Sequence, residues 1–138
     1  MNYPLFNAVP HPPVVMDLIE SLLGEPIFVH PRHICHILFP GRFEHTTEPH
    51  QDFHPVGGTP NTWTVWIPLG DCDSRLGGVA VACGSNRRGY LDNARVISGE
   101  LLDNETEWHW NPFSCGDVLI FNSLTIHQGR DNMTADRI

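Results

Sequence analysis

From Ile27 to the C-terminus the chain is a succession of short apolar runs rich in β-branched and aromatic residues, each closed within a few positions by Gly, Pro, Asn or Asp. Runs of this kind suit strands better than helices. The pattern predicts strands near 27–29, 32–39, 49–53, 63–69, 78–83, 107–110 and 117–127, with a further one at 95–98. Twelve Gly and twelve Pro supply the turns such an arrangement needs. One segment has a different period: Val14, Val15, Leu18, Ile19, Leu22 and Leu23 recur every four residues between Pro12-Pro13 and Gly24. Proline at the start and glycine past the end punctuate a helix with one apolar face. A helix followed by closely spaced strands points to a β-sandwich or barrel with a helical cover. The length, 138 residues without an internal repeat, fits one domain over residues 1–138. Its last strand, opened by Arg137-Ile138, is left incomplete.

Charge and hydropathy narrow the function classes. Eight Lys+Arg against sixteen Asp+Glu give a net charge of −8, and no stretch gathers the basic residues. A nucleic-acid binder working by counterion release is disfavoured. No apolar run reaches the roughly 20 residues that span a bilayer, and the first residues, MNYPLFNAVPHPP, lack the regions of a signal peptide. These features read as a soluble cytoplasmic protein; they set no oligomeric state. Cys35, Cys72, Cys83 and Cys115 form no CxxC pair, so reduced and mostly buried thiols are expected.

Nine histidines stand in a chain with only eight Lys+Arg, and six of them fall between His30 and His54. Within that stretch, Pro49-His50-Gln51-Asp52-Phe53-His54 contains His-x-Asp. On a strand, residues i and i+2 share a face, so His50 and Asp52 would project together into a barrel. Chance alone gives about 0.6 such pairs in a chain of this composition, so the motif needs support. Support comes from Gly116-Asp117-Val118-Leu119-Ile120-Phe121, a turn entering an apolar strand that runs on to Ile126-His127. An imidazole at the end of such a strand needs a polar or metallic partner. His127 is therefore the third ligand expected, and two neutral imidazoles with one carboxylate form the facial set of a mononuclear Fe(II) site. Ten residues on, Arg137 would lie on the neighbouring strand, where a guanidinium can pair bidentately with a carboxylate. His54 shares strand parity with His50 and is a candidate for substrate contact. The HxxH of His33 and His36 falls on a segment read as a strand, which places the two on opposite faces and disfavours a zinc site there.

With these residues in place the sequence resembles the phytanoyl-CoA dioxygenase-like iron(II)/2-oxoglutarate oxygenases. The matching stretches are Pro49-His50-Gln51-Asp52, Trp63-Thr64-Val65-Trp66-Ile67-Pro68-Leu69, Gly77-Gly78-Val79-Ala80-Val81 with Gly84-Ser85, the segment 116–121, and His127 with Asn132, Thr134 and Arg137. They follow the family's order and spacing from about Ile34 to the end. The resemblance implies a mainly β fold: a double-stranded β-helix, that is a jelly-roll or cupin-like barrel, with one N-terminal covering helix. It implies that His50, Asp52 and His127 bind Fe(II), that Arg137 binds the distal carboxylate of the cosubstrate 2-oxoglutarate, and that Trp66 lies near that cosubstrate. The implied reaction consumes O₂ and 2-oxoglutarate, releases succinate and CO₂, and hydroxylates a small organic substrate. Retention of Asp52 favours hydroxylation over halogenation, since related halogenases lose this carboxylate. Two positions depart from the family's pattern: Asn86 where a histidine is usual, and Gly129 where a small hydroxylic residue often stands. Two other readings stay open, a cupin-like binding or scaffolding domain without a catalytic metal and a zinc-dependent cupin-type isomerase or hydrolase. The loops 55–61 and 85–93 are where substrate selection is expected.

Overall fold

The computed structural model describes residues 4–103 and 106–138. Two compact units are present, Met1–His36 and Ile37–Ile138. The first holds α1 (Pro4–Ala8) and α2 (Pro13–Leu23). The helix expected at 12–24 forms with the expected punctuation: Pro13 occupies its first position, and Gly24, at φ 72°, closes it by donating its N–H to the Glu20 carbonyl at 2.8 Å. Helix α1 was not expected. The strands expected at 27–29 and 32–39 do not form; those stretches are irregular. Pro26, Pro31 and Pro40 interrupt this region, and each removes a ladder donor and fixes φ.

The second unit contains α3 (Phe53–Val56), β1 (Trp63–Trp66), β2 (Val79–Ala82), α4 (Asn93–Ile97), β3 (Trp108–His109), β4 (Leu119–Asn122) and β5 (His127–Gly129). Strands β1 and β4 form an antiparallel pair, and β3-β2-β5 form a three-stranded antiparallel sheet. The architecture is thus small sheets with a few short helices. Among the described residues these sheets do not close into a barrel.

Several expected elements take another form, for local reasons. The run 117–127 is not one strand. Asn122 ends β4, its side-chain oxygen accepting from Leu124 N (2.9 Å) while its carbonyl accepts from Thr125 N (2.8 Å). This Asx-type turn shifts the chain from one sheet to the other and delivers His127 to β5. The stretch 95–98 is helical, because Asp92 caps α4 by accepting from Arg95 N at 3.1 Å. Ser85, expected on an exposed loop, is buried, donating to the Ala82 carbonyl (2.7 Å) and accepting from Ile126 N (2.8 Å). These contacts surround the core of Ala82, Val96 and Ile126, flanked by Leu91, Leu101, Leu102 and Trp108. The four cysteines are free, as expected, but only Cys72 is buried. Arg137-Ile138 is not in a strand.

The segment before α3 adds an edge to β5. His50 and His127 exchange both backbone hydrogen bonds, at 2.9 and 3.0 Å, and Gly129 N donates to the Thr47 carbonyl at 2.9 Å. A Cβ on Gly129 would lie 3.1 Å from Thr47 N and 3.3 Å from the Thr46 methyl. Glycine at 129 thus reflects a close backbone approach. Substituting Gly129→Val is expected to lower stability by about 1–3 kcal/mol, read as a drop in the thermal midpoint; an unchanged midpoint would show that the 47–50 edge can move aside freely.

Candidate metal centre

The backbone pairing of His50 with His127 fixes their side chains as cross-strand neighbours on one face. On its other side β5 meets β2, where Val81 lies opposite His127 and the neighbouring Ala82 N bonds the Ile126 carbonyl at 2.9 Å. His127 is thereby clamped from both edges. The two imidazole rings lie 4.2 Å apart, and Phe121 covers His127 at 4.7 Å.

Asp52 joins them by a route that strand parity does not describe. The stretch expected as a strand at 49–53 has only the single bridge at His50; by Asp52 the backbone is helical (φ −63°, ψ −25°) and leads into α3. Gln51, between the two ligands, is 1% exposed. Its amide donates to the Leu124 carbonyl (2.6 Å) and the Gly89 carbonyl (2.9 Å), and its oxygen accepts from Leu91 N (2.9 Å). The turn is pinned further by Phe53 N donating to the Ser123 carbonyl at 3.0 Å. The carboxylate of Asp52 then sits with Oδ1 3.5 Å from His50 Nε2 and 3.6 Å from His127 Nε2. Ligand atoms from the three residues lie within 4.8 Å of one another, so one ion can touch all three.

Each ligand has a partner on its outer side. His50 Nδ1–H donates to the Glu48 carbonyl (2.8 Å) and His127 Nδ1–H to the Thr125 carbonyl (3.1 Å). Carbonyls only accept, so both rings must carry a proton on Nδ1; in the neutral rings this leaves the Nε2 lone pairs for the centre. Thr64 on β1 donates to Asp52 Oδ2 at 2.7 Å, leaving Oδ1 turned to the imidazoles. Such outer contacts are what orients metal-binding side chains. Burial works against ionisation of Asp52, but hydrogen bonds from His50 and Thr64 and the charges of both histidines overcome it and hold its pKa at about 2. Burial likewise works against protonated His50, and the Asp52 hydrogen bond, the Glu48 carbonyl and the Asp52 charge outweigh it, raising its pKa above the ordinary value. The pocket therefore favours a proton on the His50 imidazole, held by the ionised Asp52 carboxylate.

The other residues singled out in the sequence fall as follows. Trp66 lies on the same face of β1 as Thr64, two residues on, with its ring 4.8 Å from Phe113. Arg137 donates to Asp73 Oδ2 at 2.5 Å and to the Asp71 carbonyl at 2.7 Å. His54 sits on α3 and hydrogen-bonds the Tyr90 hydroxyl at 3.0 Å. Gln51 and Thr64 were not singled out from the sequence. The one signal for Gln51 was its position between two ligands, which obliges it to turn away from them.

A domain of small antiparallel sheets presenting two imidazoles and a carboxylate to one point matches a family of dioxygenases. The chain belongs to the phytanoyl-CoA dioxygenase (PhyH) family, which it matches over residues 4–138. It is similar to the 1-deoxypentalenic acid 11-beta-hydroxylases of Streptomyces exfoliatus (28% identity over 151 residues, 98% of this chain and 53% of the relative) and Streptomyces arenae (28% over 142 residues, 90% and 50%). The chain spans about half the length of the curated relatives it matches. Among the described residues no helix is long and apolar enough to cross a membrane.

Thr64→Val, which removes the hydroxyl at nearly constant volume, is expected to weaken divalent-metal binding by about 10- to 100-fold while leaving the thermal midpoint nearly unchanged. Gln51→Leu strands two carbonyls and one N–H, and is expected to reduce stability by at least about 2 kcal/mol along with metal affinity. Calorimetric metal titration beside thermal melts separates the two effects; equal metal affinity in both variants and the parent would remove the positioning role assigned to these contacts.

Proposed function

We propose that this chain carries the iron centre of a cytoplasmic, non-haem iron(II)- and 2-oxoglutarate-dependent oxygenase that hydroxylates a small organic substrate. The observation that carries the reading is the convergence of His50 Nε2, His127 Nε2 and Asp52 Oδ1, with both Nδ1 protons committed to backbone carbonyls. Two nitrogens and one oxygen on one side of an ion leave adjacent positions open, the arrangement suited to Fe(II) oxygenases. In the balanced reaction, substrate C–H, O₂ and 2-oxoglutarate give the alcohol, succinate and CO₂, one oxygen atom entering the alcohol and the other succinate. Iron(II) bound here would supply the redox chemistry that activates O₂. Relatives named as hydroxylases favour this outcome over isomerisation or hydrolysis at zinc. The sheet β3-β2-β5 with its added edge at 47–50, and the pair β1-β4, are read as parts of a double-stranded β-helix.

The chain's own residues then have distinct tasks. His50 and His127 offer neutral imidazole, and Asp52, ionised down to about pH 2, offers the single negative ligand. Thr64 keeps Asp52 turned to the ion. Arg137 is the candidate for the distal carboxylate of 2-oxoglutarate: its guanidinium already holds one carboxylate, that of Asp73. Trp66, on the Thr64 face of β1, is the candidate wall beside the cosubstrate.

Anaerobic addition of Fe(II) and 2-oxoglutarate is expected to give a weak visible charge-transfer band, and Asp52→Ala to abolish both the band and succinate formation. Folded protein that binds Fe(II) without the band, or succinate formation surviving Asp52→Ala, would overturn the reading in favour of a binding module. Arg137→Ala is expected to raise KM for 2-oxoglutarate by about 10- to 100-fold, and Asp73→Asn to lower it; a loss confined to kcat in the arginine variant would reassign that residue.

A further inference from the structure

A cleft of about 300 Å³ opens beside His50 of the metal centre, lined by Thr47, Glu48 and His50, by His54 and Pro55 of α3, and by Asn93 and Ile97 of α4. We propose that this cleft is the substrate pocket of the centre and that its occupant is a small, mainly apolar molecule carrying a single hydrogen-bonding oxygen group. The inference rests on the oxygenase reading for its chemistry and on the cleft for the class of ligand.

His50 belongs to both the metal-binding set and the cleft wall, so a molecule seated there lies against a ligand of the ion. The volume sits at the lower end of the ~300–1,000 Å³ range of small-molecule sites, which suits a small ligand. Ile97 and Pro55 contribute apolar surface, and Asn93 and Ile97, four residues apart on α4, present one face to the cleft. The polar anchor is His54. Its ring stacks on Tyr90 (interplanar angle 9°), and its Nδ1 is paired with the phenolic hydroxyl at 3.0 Å. With the phenol donating to Nδ1, the neutral ring keeps its proton on Nε2 as a donor for a ligand oxygen. Cleft and centre are also tied covalently: α3 starts immediately after Asp52, so the residue that binds the ion and the one that holds the substrate are two positions apart.

Cyclohexanol serves as the probe, with cyclohexanecarboxylate as the anionic arm and Mn(II) as a paramagnetic ion in the centre. Ile97→Trp fills the cleft from a half-exposed helix position outside the metal-binding set, and Ile97→Leu conserves its volume. In the parent and Ile97→Leu, proton lines of the probe broaden when Mn(II)-loaded protein is added; in Ile97→Trp, with Mn(II) affinity unchanged, the broadening falls several-fold. Equal broadening in Ile97→Trp, or none in the Mn(II)-loaded parent, overturns the proposal. Failure of the parent to bind Mn(II) or Fe(II) instead sinks the oxygenase reading. The cleft is then judged in metal-free protein by the Ile97 methyl resonance, which shifts on adding cyclohexanol if the site is correct and stays put if it is not. Stronger binding of the carboxylate assigns the oxygen group as anionic, and stronger binding of the alcohol as neutral; neither binding rejects the ligand class.

Discussion

Two backbone hydrogen bonds between His50 and His127, residues 77 positions apart in the sequence, set the geometry on which the rest of the centre depends. Because side chains alternate along a strand, slipping this pairing by one residue would turn one imidazole to the opposite face and dissolve the cluster. The register is held at a second point two residues on, where Gly129 meets Thr47. A Cβ at that second contact would crowd Thr46 and Thr47, so glycine there lets the two backbones approach closely. On the far edge β2 repeats the constraint on His127. The ligand positions are thus over-determined by backbone pairing, the most rigid device a β structure offers for an active centre.

Polar bookkeeping at the centre reinforces the geometry. Each imidazole has its outer Nδ1 proton taken by a carbonyl and Asp52 has one oxygen taken by Thr64, so His50 Nε2, His127 Nε2 and Asp52 Oδ1 are turned toward one another, a convergence that attracts positive charge. Only a proton or a cation relieves that arrangement. The opposed shifts of Asp52 and His50 are its signature, a carboxylate that refuses protons beside an imidazole that accepts one. A divalent ion held by these three residues would answer the same demand with more charge.

Residue type and order brought His50, Asp52 and His127 together as candidates in the sequence, while strand parity, the argument used to join His50 to Asp52, does not operate. The chain bends into α3 at Asp52, and what brings the carboxylate round is the buried amide of Gln51, whose partners Leu124, Gly89 and Leu91 are distant in sequence and invisible to periodicity. Similarly, the apolar character of 117–127 masked the Asn122 turn, because one polar residue within such a run reads as an outward-facing strand position until its side chain is seen closing the Asx turn. Helix α4 was missed because Val96 and Ile97 carry β propensity, which the cap at Asp92 overrides. Long-range hydrogen bonds decided the first case, a local side-chain turn the second and a local cap the third, and apolar patterning contains neither kind of information.

The pairing of Arg137 with Asp73 bears on how a free dicarboxylate could be taken up in the oxygenase reading. Both side chains are about half exposed, and an exposed ion pair contributes little net stability, so Asp73 holds the guanidinium weakly. Exchanging one carboxylate for another leaves the local charge nearly unchanged, and no buried cation is created at any stage. In that reading, a 2-oxoglutarate fastened at its other end to the metal would meet Arg137 as an intramolecular ligand, with the advantage of effective concentration that a free anion lacks. Asp73, an intramolecular competitor itself, would set a threshold that simple monocarboxylates without a second anchoring point do not pass. On the oxygenase reading, selectivity for the dicarboxylate would then arise from two modest contacts acting together, one at Arg137 and one at an ion held by His50, Asp52 and His127.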